Sequence, residues 1–178
     1  MHSFVWDMRY PEAEGDTSAT FDASLQGPLA VPGNYSVKLF LEEELIGEQQ
    51  FIIKIDPRNP ATQKDLQAQF DLNKKICDKL NEMAEAITNI KDIRSQIEVY
   101  LETEEDSAIV RSFRSVAKPI IDSLTAIEER LHNPKILAYE DNLKFPIVLE
   151  EKLAGLNYIL QMADTAPTKS MYDKYDDL

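Results

Sequence analysis

From Leu66 to Leu101, side chains on two adjacent helical rows return every seven residues. One row carries Leu66, Asn73, Leu80, Ile87, Arg94 and Leu101. The other carries Gln69, Ile76, Met83, Ile90 and Ile97. Rows seven apart and offset by three or four make a coiled-coil-like seam, which a helix presents on one side. The spacing predicts a helix of about 40 residues, roughly 60 Å at 1.5 Å per residue. An element that long needs neighbours along its course, because packing of the apolar face supplies most of a helix's stability. Asn59 is the expected cap, with Pro60 at the first helical position. Asn73 and Arg94 interrupt the seam, where polar residues set packing register or meet carboxylates.

Further helices follow. "ETEEDS" (Glu102–Ser107) breaks the seam. Val110, Phe113, Ala117, Ile120, Leu124, Ile127 and Leu131 then mark a second helix, with Pro119 inside it and a kink or restart expected there. Residues 132–146 read as a loop. A third helix is expected from about Pro146 to Ala163, with Leu149, Leu153, Leu156 and Leu160 inward. Pro167 starts a fourth, with Met171, Tyr175 and Leu178 on one face. It stops after barely three turns, which reads as a helix cut short or as a natural end. Helices joined by short loops make an up-and-down four-helix bundle.

The first 57 residues are a different material. Gly15, Gly27, Gly33 and Gly47 all fall there, and only Gly155 follows. "SFVWDMRY" (Ser3–Tyr10) has strand composition and ends at Pro11. Pro32-Gly33-Asn34 is a turn. "NYSVKLFL" alternates with period 2, "EEELIGE" contains a reversal, and "QQFIIKI" returns to Asp56-Pro57. Tyr35, Val37, Leu39 and Leu41 are expected to meet Phe51, Ile53 and Ile55 on one buried face. A hairpin needs a third strand or a second sheet for stability, and only the Trp6 strand precedes it. The fold class is therefore α+β. Residues 1–57 form part of a β-sandwich and residues 58–178 an antiparallel helical bundle with a long first helix.

Composition narrows the partners. The net charge of −13 and pI of about 4.6 exclude a nucleic-acid footprint and attraction to anionic membranes. No apolar run is long enough for membrane insertion, and "MHSFVWDMRY" lacks the basic start and apolar stretch of a signal peptide. One cysteine, Cys77, allows no internal disulfide.

Candidate chemistry is thin. Glu129 and His132 form one Glu-x-x-His, but a di-metal bundle site needs two, and the only other histidine is His2. The core row places Glu129 outside. Cys77 lacks an identifiable base and reads as a small buried hydrophobe. There is no G-x-S-x-G elbow and no glycine-rich phosphate loop. With 32 acidic residues, some carboxylate pair always lies at a glycosidase-like distance, so pairing alone carries no assignment. Glu42–Glu44 read as a charged hairpin end that blocks edge pairing. "YDKYDDL" (Tyr172–Leu178) lacks the glycine and ligand spacing of a calcium loop. Trp6 and Tyr10 with Tyr35 either form a sugar-stacking platform or fill a sandwich core. No residue is assigned as catalytic, cofactor-binding or metal-ligating.

Several stretches taken together resemble a known family. They are "FVWDMRYPEA", "GPLAVPGNYSVKL", "DPR", "DLQAQFDL", "IKDIRSQIE", "LKFPIVLEEKLAGL" and "APTKSMYDKYDDL". In this order they resemble the C-terminal region of large bacterial proteins, common in Bacteroidetes, with sortilin-like Asp-box (BNR) repeat β-propellers that carry a glycosyl hydrolase label. No S-x-D-x-G-x-x-W Asp-box occurs here, so the resemblance puts the propeller outside these residues. The "VWD" and "PGNYSV" pair also resembles an Ig-like domain of the flagellar hook-capping type, whose earlier strands would lie upstream of Met1. The resemblance implies export to the periplasm or cell surface and a parent propeller as intramolecular partner. The expected role is a non-catalytic accessory or interaction module. A part in a propeller hydrolase site, or homodimerisation through the bundle, are the alternatives.

Overall fold

A computed structural model describes residues 3–15, 22–103 and 108–178. Its elements are β1 (Gly33–Leu41), β2 (Glu44–Ile53), α1 (Gln63–Thr103), α2 (Ala108–Leu131), a 3-10 turn (Tyr139–Leu143), α3 (Leu149–Leu160) and α4 (Lys169–Asp176). The fold is thus mixed α and β, with a two-stranded antiparallel sheet and four helices, the first 41 residues long. Parts of the expected 12–26 connection and of the 102–107 break lie outside the described residues.

The seam forms, but α1 starts later than its expected cap. Asn59 Oδ1 accepts from the Ala61 N–H at 2.9 Å, which closes a local turn before the helix. Thr62 caps instead. Its Oγ1 accepts from the Asp65 N–H, and the Asp65 carboxylate accepts from the Thr62 N–H. This reciprocal box outcompetes an Asn-Pro start.

Two different neighbours cover α1 along its length. Over its first half, Leu72, Ile76, Leu80 and Met83 pack against Leu153, Leu156 and Leu160 of α3, and Met171, Tyr175 and Leu178 of α4 join that core. Each fully buried side chain of this kind stabilises by about 1.5–3 kcal/mol. Over the second half, α2 takes over. Arg94 bonds Glu128, and the Tyr100 and Phe113 rings meet at 4.5 Å.

Helix α2 runs unbroken through Pro119, so no restart occurs there. Its buried face is rotated from the expected row: Ala117 is buried and Phe113, Leu124 and Leu131 are half-buried as expected, but Glu128 is buried while Ile120 and Ile127 are exposed. The Arg94–Glu128 pair accounts for the rotation: with Glu128 turned to α1, Ile120 and Ile127 turn outward. Helices α3 and α4 keep their expected inward rows. They begin later than expected, behind Val148 and Thr168.

Strands β1 and β2 pair with Tyr35 opposite Phe51. Glu42 and Glu43 form the two-residue turn, both with positive φ (47° and 74°), as a type I′-like hairpin requires. The pairing shifts between Leu39 and Phe40, leaving Ile46 as the extra residue of a bulge. The expected buried face exists only at the hairpin's base. Tyr35, Phe51, Ile53 and Ile55 are half-buried, but Val37, Leu39 and Leu41 are 54%, 61% and 63% exposed. Among the described residues no third strand covers them.

Ser3–Tyr10 is not a strand. Met8 takes a positive φ of 61°, which ends the alternation, and one bridge remains between Arg9 and Leu29. The early segments lie instead on the helices. The Ser24 N–H donates to the Ala154 carbonyl at 3.0 Å, and the Glu14 N–H donates to Asn81 Oδ1 at 2.7 Å. Ala13 enters the helical core. Gly27 sits against the backbone of Tyr10 and Pro11 with no room for a Cβ.

Candidate functional site

The base of the hairpin holds an aromatic cluster beside an open cleft. Asp7 Oδ1 accepts from the Arg9 N–H at 2.9 Å, and the left-handed Met8 turns the chain between them. Trp6 Nε1 then donates to the Arg9 carbonyl at 2.9 Å. This turn lays the indole over β1 and β2. Its ring is 6.0 Å from Tyr35 and 6.2 Å from Phe51, the latter edge-on at 76°. Tyr35 and Phe51 stack at 5.9 Å. The Tyr35 hydroxyl donates to the Val31 carbonyl at 2.7 Å, and burial, then Tyr10, pushes its pKa up.

The cleft beside this cluster has a volume of about 550 Å³, with Phe4, Trp6, Tyr35, Val37 and Phe51 as its apolar wall. Arg9 and Lys38 stand at its rim. The Arg9 guanidinium donates to the Gly27 carbonyl at 2.9 Å and to Gln161 Oε1 at 2.5 Å, which anchors it. Lys38 makes a loose 3.9 Å pair with Glu48. Such a surface offers ring stacking and apolar contact. Its lining holds no carboxylate, thiol or imidazole for acid–base or nucleophilic work.

The structure brings Trp6 and Tyr35 together and separates Tyr10 from them. Tyr10 lines the cleft, but its ring packs edge-on against Phe70 of α1 at 5.1 Å. Alternation predicted Trp6 and Tyr10 on one strand face, and the Met8 turn removes that relation. Phe51 was expected in the core and belongs to the cluster. Its register opposite Tyr35 was the available signal.

The remaining candidates go elsewhere. Glu129 is exposed and pairs at 4.0 Å with Lys135. His132 turns inward, its Nδ1 2.6 Å from Glu150 Oε2, so the Glu-x-x-His residues do not converge. The Glu150 hydrogen bond raises the His132 pKa above 6.5, opposed by burial. Among the described residues no group of three or more His, Cys, Asp or Glu could hold a metal ion. Cys77 is buried, burial pushes its thiol up to about 11, and its Sγ–H points to the Gln26 carbonyl at 3.7 Å. Residues of "YDKYDDL" form α4, where Asp173 pairs with Lys169 rather than shaping a loop.

Asn73 and Arg94 both find partners across the seam. Asn73 Nδ2 donates to Asn157 Oδ1. Asn157 Nδ2 in turn donates to the Ser24 and Gln26 carbonyls at 2.8 and 3.1 Å. This buried chain fixes α1, α3 and the 22–30 segment in one register. Arg94 meets the buried Glu128 carboxylate. Both arrangements determine packing.

Comparison with protein families, with curated proteins and with solved structures found no match.

Proposed function

We propose that the chain is a non-catalytic accessory module of an exported β-propeller protein and that it engages its parent through the hairpin. One observation carries this reading. Both faces of a two-stranded ribbon expose large apolar side chains, Val37, Leu39 and Leu41 on one and Phe40 and Ile52 on the other. Isolated two-stranded ribbons are marginal in water, and exposed apolar patches mark interaction surfaces. Under this proposal the hairpin and the Trp6 segment belong to an Ig-like sandwich. The four helices are an up-and-down bundle that acts as spacer. The location is periplasmic or cell-surface, as the resemblance to the C-terminal region of exported Asp-box propeller proteins implies.

The test mixes the chain with a separately produced Asp-box propeller of the resembling type. Amide exchange at Val37–Leu41 is expected to slow on mixing, and Leu39→Lys is expected to abolish the protection. Unchanged exchange would overturn the docking role. Turnover of aryl glycosides by this chain alone would overturn the non-catalytic one.

A further inference from the structure

Arg9 is a half-buried cation without a counter-ion. Its guanidinium lines the cleft beside the aromatic cluster. Nη1 makes both of its hydrogen bonds, to the Gly27 carbonyl and to Gln161 Oε1, and both acceptors are uncharged. Among the described residues no carboxylate lies within ion-pair distance of it, and Nε and Nη2 engage nothing. A charge withdrawn from water ordinarily has a partner. Arg94, also half-buried, has Glu128. With 32 acidic residues against 19 basic ones, the chain is not short of carboxylates. Two stand near the cleft and neither lines it. Asp7 Oδ1 accepts from the Arg9 backbone N–H at 2.9 Å, and Glu48 is 3.9 Å from Lys38.

The cleft thus carries a charge opposite to that of the whole chain. Among the described residues that line it, Arg9 and Lys38 are the charged ones, and both are cations. Its volume of about 550 Å³ falls within the 300–1,000 Å³ usual for small-molecule sites. The aromatic wall is fixed in advance, since Trp6 Nε1 and the Tyr35 hydroxyl are both tied to backbone carbonyls. Arg9 is anchored as well, so a ligand meets groups that are already ordered. A guanidinium fork matches the two oxygens of a carboxylate, and aromatic faces accept a flat ring.

We propose that this cleft binds a carboxylate carried on an aromatic group, with the acid on Arg9 and the ring against Trp6 and Val37. Such a ligand is either a free aromatic acid or the C-terminal residue of a peptide. Leu39 and Leu41 lie outside the cleft, so this site is separate from the hairpin face offered to the propeller.

Trp6 is the chain's one tryptophan, so its fluorescence reports on this cleft. Titration with 3-phenylpropionate should change that emission saturably. The uncharged 3-phenylpropionamide should bind roughly tenfold more weakly, the loss of a charge-assisted contact. Arg9→Gln should weaken binding of the acid by a similar factor and leave binding of the amide unchanged, with circular dichroism as the check on folding. Leu39→Lys should bind the acid as wild type does, whatever its effect on propeller docking. N-acetyl-glycyl-phenylalanine separates the sources: tighter binding than 3-phenylpropionate assigns a peptide end, and equal or weaker binding a free acid. No saturable change with either acid overturns the proposal. So does equal affinity for acid and amide, or a folded Arg9→Gln variant that binds the acid normally. Should Arg9→Gln fail to fold, the acid–amide comparison on wild-type protein decides.

Discussion

The α1–α3 junction and the β1–β2 hairpin are both rich in branched and aromatic residues, yet one buries them and the other displays them. The junction closes because each helix satisfies its own backbone hydrogen bonds and needs only a cover for one face. Leu72, Ile76 and Leu80 find that cover in α3, and the Asn73–Asn157 contact fixes its register. Among the described residues the hairpin has no strand beyond either edge, it exposes apolar side chains on both faces, and only its base meets Trp6. Apolar content alone does not decide burial. The supply of neighbours does.

The difference is open to attack at graded strengths. Leu153→Ala should cost about 2–5 kcal/mol in denaturant unfolding, the usual range for a cavity in a closed core. A loss no larger than that of a hairpin substitution would erase the distinction. Asn157→Ala should cost about 1–3 kcal/mol, because it takes the oxygen acceptor from the buried Asn73 amide and one donor each from the Ser24 and Gln26 carbonyls. The double change Asn73→Leu with Asn157→Leu should recover part of that loss.

His132→Gln should have a smaller effect, and one that depends on pH. The folded-state pKa of His132 lies above 6.5, so its stabilising contribution is complete below that value and fades as pH rises through the raised pKa. Wild type and variant should differ most in mildly acidic buffer and converge at alkaline pH. A gap that widens with pH would contradict the His132–Glu150 pairing. Leu39→Ser should change the stability of the isolated chain by no more than about 0.5 kcal/mol, as for surface positions. A larger loss would mean that the hairpin is already covered in solution.

The long helix was legible because its rows persist over five heptads, more signal than any single residue can reverse. The α3 and α4 faces were legible for the same reason. The Ser3–Tyr10 strand was not, since its composition is that of a strand while the left-handed backbone at Met8 leaves no mark in composition. The rotation of α2 depended on Glu128 meeting Arg94, 34 residues away. His132 was weighed against Glu129, its neighbour in sequence, while its partner Glu150 stands at the start of α3. Local periodicity carries faces. Pairings between distant polar groups need the assembled backbone.

Gly27 works as half of a clasp. Any side chain at that place would drive apart the two backbone runs that lie on the helices, since its Cβ would overlap the carbonyl oxygens of Tyr10 and Pro11. Asn157 is bound in the same way to the segment beside it. The two positions stand 130 residues apart in sequence yet hold one strip of chain, Gly27 by having no side chain and Asn157 by its amide, so the 22–30 segment is clasped to the helices from both sides.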